Sequence, residues 1–412
     1  MFLTSKTHSK NLNQRAMTNQ LATAQYIVCG SKKLRCGFTT GSAAAMAAKA
    51  ASRFLLLGNK SKSVSITTPK GWLACADIIF DESSFKKNCV RVGVKKDAGD
   101  DPDATDGIEV FATVTILEKT ASDVEIIIDG GKGVGRVTKE GLDQAVGNAA
   151  INSTPRKMIE KEVREVAAEA HFSGKIEVII DIPNGEEIAK KTFNKNLGIT
   201  GGLSVIGTTG VVEPMSEQAL IDALCAEINV IEAEQQGKKI RAIIVTPGEY
   251  GLSFLKGYKS ANNLEKIAVL KCSNYIGAAL DLIASKNFTH VFIAGHAGKF
   301  VKLAGGIFST HSRTADCRLE LIAAHAALCG ANRNTVAAIM ECATVDAALE
   351  VLDKAVEVNT ESVLESLEQK IEAHLERRIQ NAFKWAFLMF TNVRGIISST
   401  KNIESFFKEM SL

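Results

Sequence analysis

Aromatic residues make up only 6% of the 412-residue chain, too few for the stacking platforms that hold single-stranded nucleic acid. An excess of one charge is lacking as well. With 49 Lys and Arg against 46 Asp and Glu, the formal balance is +3. No dense basic block with interleaved aromatics occurs, which argues against a nucleic-acid partner. No apolar run reaches the roughly 18 residues that a membrane span needs. The 9 cysteines are an odd number scattered without CxxC pairs, so reduced thiols in a cytoplasmic setting are expected rather than a disulfide framework. The HExxH motif and the EF-hand spacing are both missing, and no protein-bound metal is expected.

What is present suffices for a large core. Hydrophobic residues are 46% of the chain, an ordinary globular share, and the length suggests more than one domain. Residues 1–33 carry Lys6, Lys10, Arg15, Lys32 and Lys33 and no acid. That composition fits a solvated, disordered leader, although it also resembles a transit peptide.

The pattern predicts a strand-rich α+β N-terminal domain over 34–200, then an α/β domain over 201–390 with a mostly parallel sheet and a helical C-terminal region, and a tail over 391–412. An Ala-rich helix over 42–57 ends at Gly58. Strands follow over 64–68, 73–80, 89–94, 109–117 and 124–128. A helix capped by Thr138 and another over 155–171 come next. The run 176–182 reads as a strand buried on both faces. From residue 203 the rhythm alternates: strands over 203–206, 240–246, 267–271 and 291–294, and helices over 216–236 and 275–285. From Asp316 onward the chain reads as almost wholly helical. Leu364, Leu367, Ile371, Leu375 and Ile379 recur at helical spacing there, a core stripe rather than a coiled-coil face.

Glycine-rich turns are the places where chemistry is expected, each with a structural alternative. In 35–42, small residues at a helix start would leave N–H groups free for an anion, or Thr40 or Ser42 would simply cap the helix. The run 129–136 has a phosphate-loop look, but its spacing fits neither GxGxxG nor the Walker pattern. Lys132 and Arg136 could still meet carboxylates. Turns 207–214, 246–251 and 272–277 follow predicted parallel strands, whose carboxyl ends would share one ligand-binding rim. The alternative there is conformation alone. His296, Lys299, His311, Arg313 and Asp316 form a dense polar cluster around a strand end. Five Asp over 95–107 could offer oxygen ligands to a hard cation, but without EF-hand spacing a solvated turn is the default.

Five stretches carry a further signal: RCGFTTGSAAAMAAKAA from Arg35, KKDAGDDPDATDG from Lys95, GGKGVGRVTKEGL from Gly130, IPNGEEIAKKTFNKNLGITGGLSVIGTTGVVEPMSE from Ile182, and IAGHAGKFVKLAGGIFSTHSRTADCRLE from Ile293. In this order they resemble the CbiD family of cobalt-precorrin-5B C-1-methyltransferases. Cys36 and Cys317 depart from the small residues expected there, without removing a charge. The resemblance implies S-adenosyl-L-methionine as methyl donor. It implies as acceptor a cobalt-bearing, multiply carboxylated tetrapyrrole-derived ring, methylated at C-1 to cobalt-precorrin-6A in anaerobic cobalamin biosynthesis. The cobalt arrives inside that substrate. On this basis Gly207, Thr208, Thr209, Gly210, Glu213, Gly248 and Glu249 are expected to hold the donor. Thr39, Thr40, Lys132, Arg136, His296, Lys299 and Arg313 are expected to meet the acceptor between the two domains. His311 or Asp316 would take a proton. The competing readings are a non-catalytic carrier of an anionic tetrapyrrole and a phosphotransferase using GGKGVG. A homo-oligomer is compatible with the sequence, and neither a nucleic acid nor a membrane is expected as partner.

Overall fold

The computed structural model describes residues 25–119 and 123–411. They group into two compact units, one ending at Glu217 and the other beginning at Gln218. Of the leader expected over 1–33, residues 1–24 lie outside the described residues. The remainder is not irregular, because Tyr26–Cys29 and Lys32–Arg35 pair as an antiparallel hairpin.

The first unit is built on a six-stranded sheet in the order Ser63–Thr67, Leu73–Phe80, Cys89–Lys95, Glu109–Lys119, Gly174–Asp181, Glu125–Gly130. All neighbours are antiparallel except the last pair. The helix Thr40–Leu57 lies across this sheet and against the helix Ser153–Glu169. Its residues Ala43, Ala44, Ala45, Ala47 and Ala48 are buried among Val90, Val92, Val110 and Val114. Alanine supplies helix propensity without bulk, which lets the helix axis come close to branched strand residues. Gly58 ends the helix in the left-handed conformation at φ 67°, its N–H donating to the Arg53 and Phe54 carbonyls. Strand Gly174–Asp181 alternates buried and half-buried residues. Its Ile176, Val178 and Ile180 face the core on one side only, which corrects the expectation of a strand buried on both faces.

Thr138 starts no helix. Gly141 and Gly147 take φ 95° and 91° within the next turns, and the Thr138 hydroxyl donates to Gly198 O at 2.6 Å. Residues 201–217 also belong to the first unit, not to the α/β part. Gly202–Leu203 pairs with Gly133–Val134, and Val211–Val212 pairs with Gly37–Phe38. Long-range backbone pairing overrides the local strand-and-turn look of this stretch.

The second unit carries a five-stranded sheet in the order Ala268–Lys271, Ala242–Thr246, His290–His296, Lys384–Thr391, Gly395–Ser399. The first four strands are mutually parallel and the last is antiparallel. Alternate residues of the central strands face opposite layers. Ile243, Val245, Val291 and Ile293 pack with the helices Glu217–Ala233, Ile276–Ala284, Arg318–Leu328, Val345–Lys354 and Thr360–Ile379. Ile244, Phe292, Leu388 and Phe390 pack with Leu255 of the helix Glu249–Ala261 and with Phe407 of the helix Ile403–Met410. Burial on both faces explains the unbroken apolar runs AIIVT and HVFIAG. The stripe Leu367, Ile371, Leu375 and Ile379 is fully buried, as its spacing suggests. Two expectations fail at the C-terminus. KWAFLMFT is a strand, not helix, and 391–412 is not a tail, because it supplies the last strand and a packed helix. Among the described residues no helix is long and apolar enough to cross a membrane.

Candidate active site at the carboxyl ends of the second sheet

The glycine-rich segments of the first unit are closed by packing. Thr39 caps the Ala-rich helix, accepting the Ser42 N–H at 3.2 Å. The Gly41 N–H goes to Ile206 O at 3.1 Å, and Ser42 Oγ donates to Gly210 O at 2.6 Å. The donors expected to await an anion are therefore in use, and Thr39 and Thr40 are buried. Gly207 is required because a Cβ there would lie 2.2 Å from Thr39 Oγ1. Thr208 is exposed, Thr209 folds its hydroxyl back onto Val211 O, and Glu213 pairs with Lys70. The turn 207–213 thus seals a helix start in the first unit and stands at no strand end of the parallel sheet. Arg35 grips Asp97 with two bonds of 2.6 and 2.7 Å, which holds that carboxyl below its usual value.

The run 130–136 is a packing device too. A Cβ on Gly133 would stand 2.0 Å from Ile182 O, and one on Gly202 would stand 2.2 Å from Gly133 O. Three backbone segments touch there. The Gly131 N–H reaches Ile180 O and the Lys132 N–H reaches Asp181 Oδ1, so no open nest of N–H groups faces a phosphate. Arg136 is clamped to Asp129 at 2.8 and 3.0 Å. The Lys132 side chain is exposed.

The second unit provides what the first does not. Strand Ala242–Thr246 is flanked by Ala268–Lys271 on one side and His290–His296 on the other, and the chain passes from Ala242–Thr246 to the first side but from His290–His296 onward to Lys384–Thr391 on the opposite side. Open α/β sheets bind ligands outside the carboxyl ends at such a reversal. There the turn 246–251 meets the turn 296–299. His296 ends its strand, and its Nδ1 accepts the Gly298 N–H at 3.1 Å, which leaves the neutral ring's proton on Nε2. The Tyr250 ring lies 5.4 Å from it and the Phe390 ring meets it edge-on at 5.6 Å. Burial lowers the His296 pKa, and Asp346 opposes that shift. Lys299 donates to Ser273 O at 3.3 Å, and burial lowers its pKa, partly offset by Cys272. The buried Cys272 thiol is itself pushed up to about 12, so it is no nucleophile at neutral pH. Glu249 pairs with Lys271 at 2.6 Å.

The turn 309–316 is pinned beside the 272–277 turn, where Thr310 N–H donates to Asn274 O at 2.9 Å. The buried Lys302 ammonium donates to Thr310 O and Ala315 O at 3.0 and 2.8 Å. Asp316 is held by Arg318 at 2.6 and 3.0 Å, which with Lys302 keeps its carboxyl below the usual range. His311 is exposed, with Nδ1 accepting the Arg313 N–H at 3.1 Å. Arg313 is exposed and has no carboxylate partner among the described residues.

The CbiD family profile matches residues 27–214, and that of the CbiD C-terminal domain matches 309–401. A protein of Ruminiclostridium cellulolyticum named cobalt-precorrin-5B C(1)-methyltransferase is 45% identical over 90% of this chain and 92% of its own length. One of the same name from Thermoanaerobacter is 40% identical over 90% of this chain and 97% of its own. The chain belongs to the CbiD family. A solved cobalamin biosynthesis protein (cbiD) from Archaeoglobus fulgidus is 27% identical, covering 70% of this chain and 86% of that one at a TM-score of 0.37.

In this CbiD chain the structure gathers Gly248, Glu249, His296 and Lys299 around the sheet reversal. It keeps Thr39, Thr40 and 207–213 with the Ala-rich helix, and Lys132 and Arg136 at the glycine run. Sequence reasoning passed over Tyr250, Lys271 and Asp346. Tyr250 lies within a turn already singled out, and an aromatic after PGE was the available signal. Asp346 comes from a distant helix and has no local signature. Among the described residues no three His, Cys, Asp or Glu cluster as metal ligands.

Proposed function

We propose that the chain transfers the methyl group of S-adenosyl-L-methionine to C-1 of cobalt-precorrin-5B, giving cobalt-precorrin-6A. The observation that carries this is 45% identity over nine-tenths of a relative that bears that activity as its name. The turns at the sheet reversal support it, since they combine an aromatic face, Tyr250, with a half-buried ammonium, Lys299.

In this reading the donor lies along 246–251 and 296–299. Its sulfonium–methyl bond breaks with the electron pair left on sulfur, and a carbon–carbon bond forms from the ring's electron pair. The donor is already activated, so the protein's work is alignment, which can contribute on the order of 7–11 kcal/mol. Arg313 meets an acid arm of the acceptor, and the exposed His311 is available to a departing proton. Asp316 is a positioning residue that fixes Arg318 and Lys302.

Mass spectrometry of cobalt-precorrin-5B incubated with protein and donor tests the reading. A gain of one methyl is expected. Binding without gain would replace it by the carrier, and nucleotide-dependent phosphate transfer by the phosphotransferase.

A further inference from the structure

Helix starts around the second sheet differ in how their first N–H groups are used. At Ile276–Ala284 the Gly277 N–H goes to Phe308 O at 3.2 Å, and at Ala297–Phe300 the Gly298 N–H goes to His296. The helix Glu249–Ala261 has no such closure. Its N-cap is Gly248, which has no side chain to cap with, and the first intrahelical bond is Leu252 N–H to Gly248 O at 3.0 Å. The N–H groups of Glu249, Tyr250 and Gly251 have no partner among the described residues, and the helix is 13 residues long, so its dipole is fully developed.

A second observation bears on the same turn. Thr246 is fully buried, yet its hydroxyl has no hydrogen-bond partner. An orphan of this kind is costly unless something completes it. The hydroxyl faces the first turn of the helix, for a Cβ on Gly251 would stand 1.7 Å from it. Glycine at 251 is thus what leaves the hydroxyl room. A positive charge stands at the same turn, since the Lys299 Nζ is the atom that a Cβ on Gly248 would meet, at 3.9 Å.

We propose that the open start of this helix, the Thr246 hydroxyl and the Lys299 ammonium form a carboxylate-binding site. Given the reading above, on which this rests, its occupant is the amino-acid carboxylate of the methyl donor. An acid arm of the acceptor has the same chemistry, and the two are told apart below. Glu249 does not spoil the site, because its charge is drawn to Lys271. A carboxylate gains from backbone donors and from the helix dipole together, and the half-buried ammonium adds a charge-assisted bond.

The test is calorimetric titration of the full chain with S-adenosylhomocysteine, which has the carboxylate, and with 5′-methylthioadenosine, which lacks the amino-acid portion. The wild-type chain is expected to bind the first at least about tenfold more tightly, the least that a charge-assisted pair contributes. Lys299→Met should shrink that ratio towards one by weakening S-adenosylhomocysteine alone. Thr246→Val, which keeps shape and fold, should reduce it in the same direction. If the ratio is unmoved while either variant weakens cobalt-precorrin-5B binding, the site takes the acceptor's acid arm instead. If neither variant moves the ratio or acceptor binding, the carboxylate site is overturned. Absence of heat from both nucleosides with the wild-type chain sinks the donor reading, and acceptor titration of the two variants then decides the carboxylate site by itself.

Discussion

Asp316 and His311 share one turn, yet their surroundings give them different work. Asp316 accepts two bonds from Arg318 and faces the Lys302 ammonium at 3.7 Å, so it stays ionised and is a poor proton acceptor. His311 keeps one ring nitrogen for solvent or substrate. His311→Gln should therefore lower kcat several-fold. Asp316→Asn should leave the pH profile of kcat where it is and lower stability. A shifted profile for Asp316→Asn would return it to the proton path. His296 carries a pH prediction. Burial places its folded pKa below the ordinary 6.5, and His325 and His374 shift the same way. Between the folded and unfolded values the unfolded chain binds more protons. Stability is therefore complete above 6.5 and is lost as pH falls through the lowered values. Urea midpoints should drop as the pH falls below about 6.5, and less so in His296→Gln. An identical drop in that variant would mean that His296 contributes nothing.

At the scale of elements, two glycine-rich helix starts look alike in sequence and differ in space. GFTTGS is closed by residues 206–210 and TPGEYG is open. Thr39→Ala should remove a cap worth about 0.5–2 kcal/mol and leave the Michaelis constants for donor and acceptor unchanged, as thermal unfolding and steady-state kinetics would register together. A raised acceptor KM with intact stability would restore Thr39 to the binding site. Gly133→Ala should be harsher, since the position combines φ 75° with a backbone oxygen 2.0 Å from the new Cβ. What the sequence made legible were elements set by local rules: the alanine helix with its glycine stop, the strand Leu73–Phe80, the alternation of strands and helices from residue 240, and the buried stripe from Leu367. What it hid was set by distant partners. Val211 pairs with Phe38 across the chain. KWAFLMFT, with few turn residues before it, reads as a continuation of the preceding helix until its parallel partner His290–His296 is known. The candidate site was legible only in part for the same reason. Gly248, Glu249, His296 and Lys299 lie on turns with their own signatures, whereas whether a helix start is sealed depends on a carbonyl elsewhere.

For the whole molecule the question is how a nearly neutral chain draws a polyanionic acceptor. A formal balance of +3 generates little long-range field. Many cations are already spent on carboxylates: Arg35 on Asp97, Arg53 on Glu169, Arg91 on Asp81, Arg136 on Asp129, Arg378 on Asp281 and Arg394 on Asp353. In the proposed reading attraction then comes from exposed cations without such partners near the second sheet, Arg313 among them, and it acts at short range. Salt should reveal this. Raising it from about 0.1 to about 1 M cuts the screening length from about 10 Å to about 3 Å. The acceptor KM should rise several-fold, while the donor KM moves less, because the half-buried Lys299 is shielded from bulk ions. In an Arg313→Met variant the acceptor KM should start higher and respond less to salt, since one of the charges that salt would screen is gone. An acceptor KM that ignores salt in the wild-type chain would mean that the acid arms are met by backbone donors rather than by exposed cations such as Arg313.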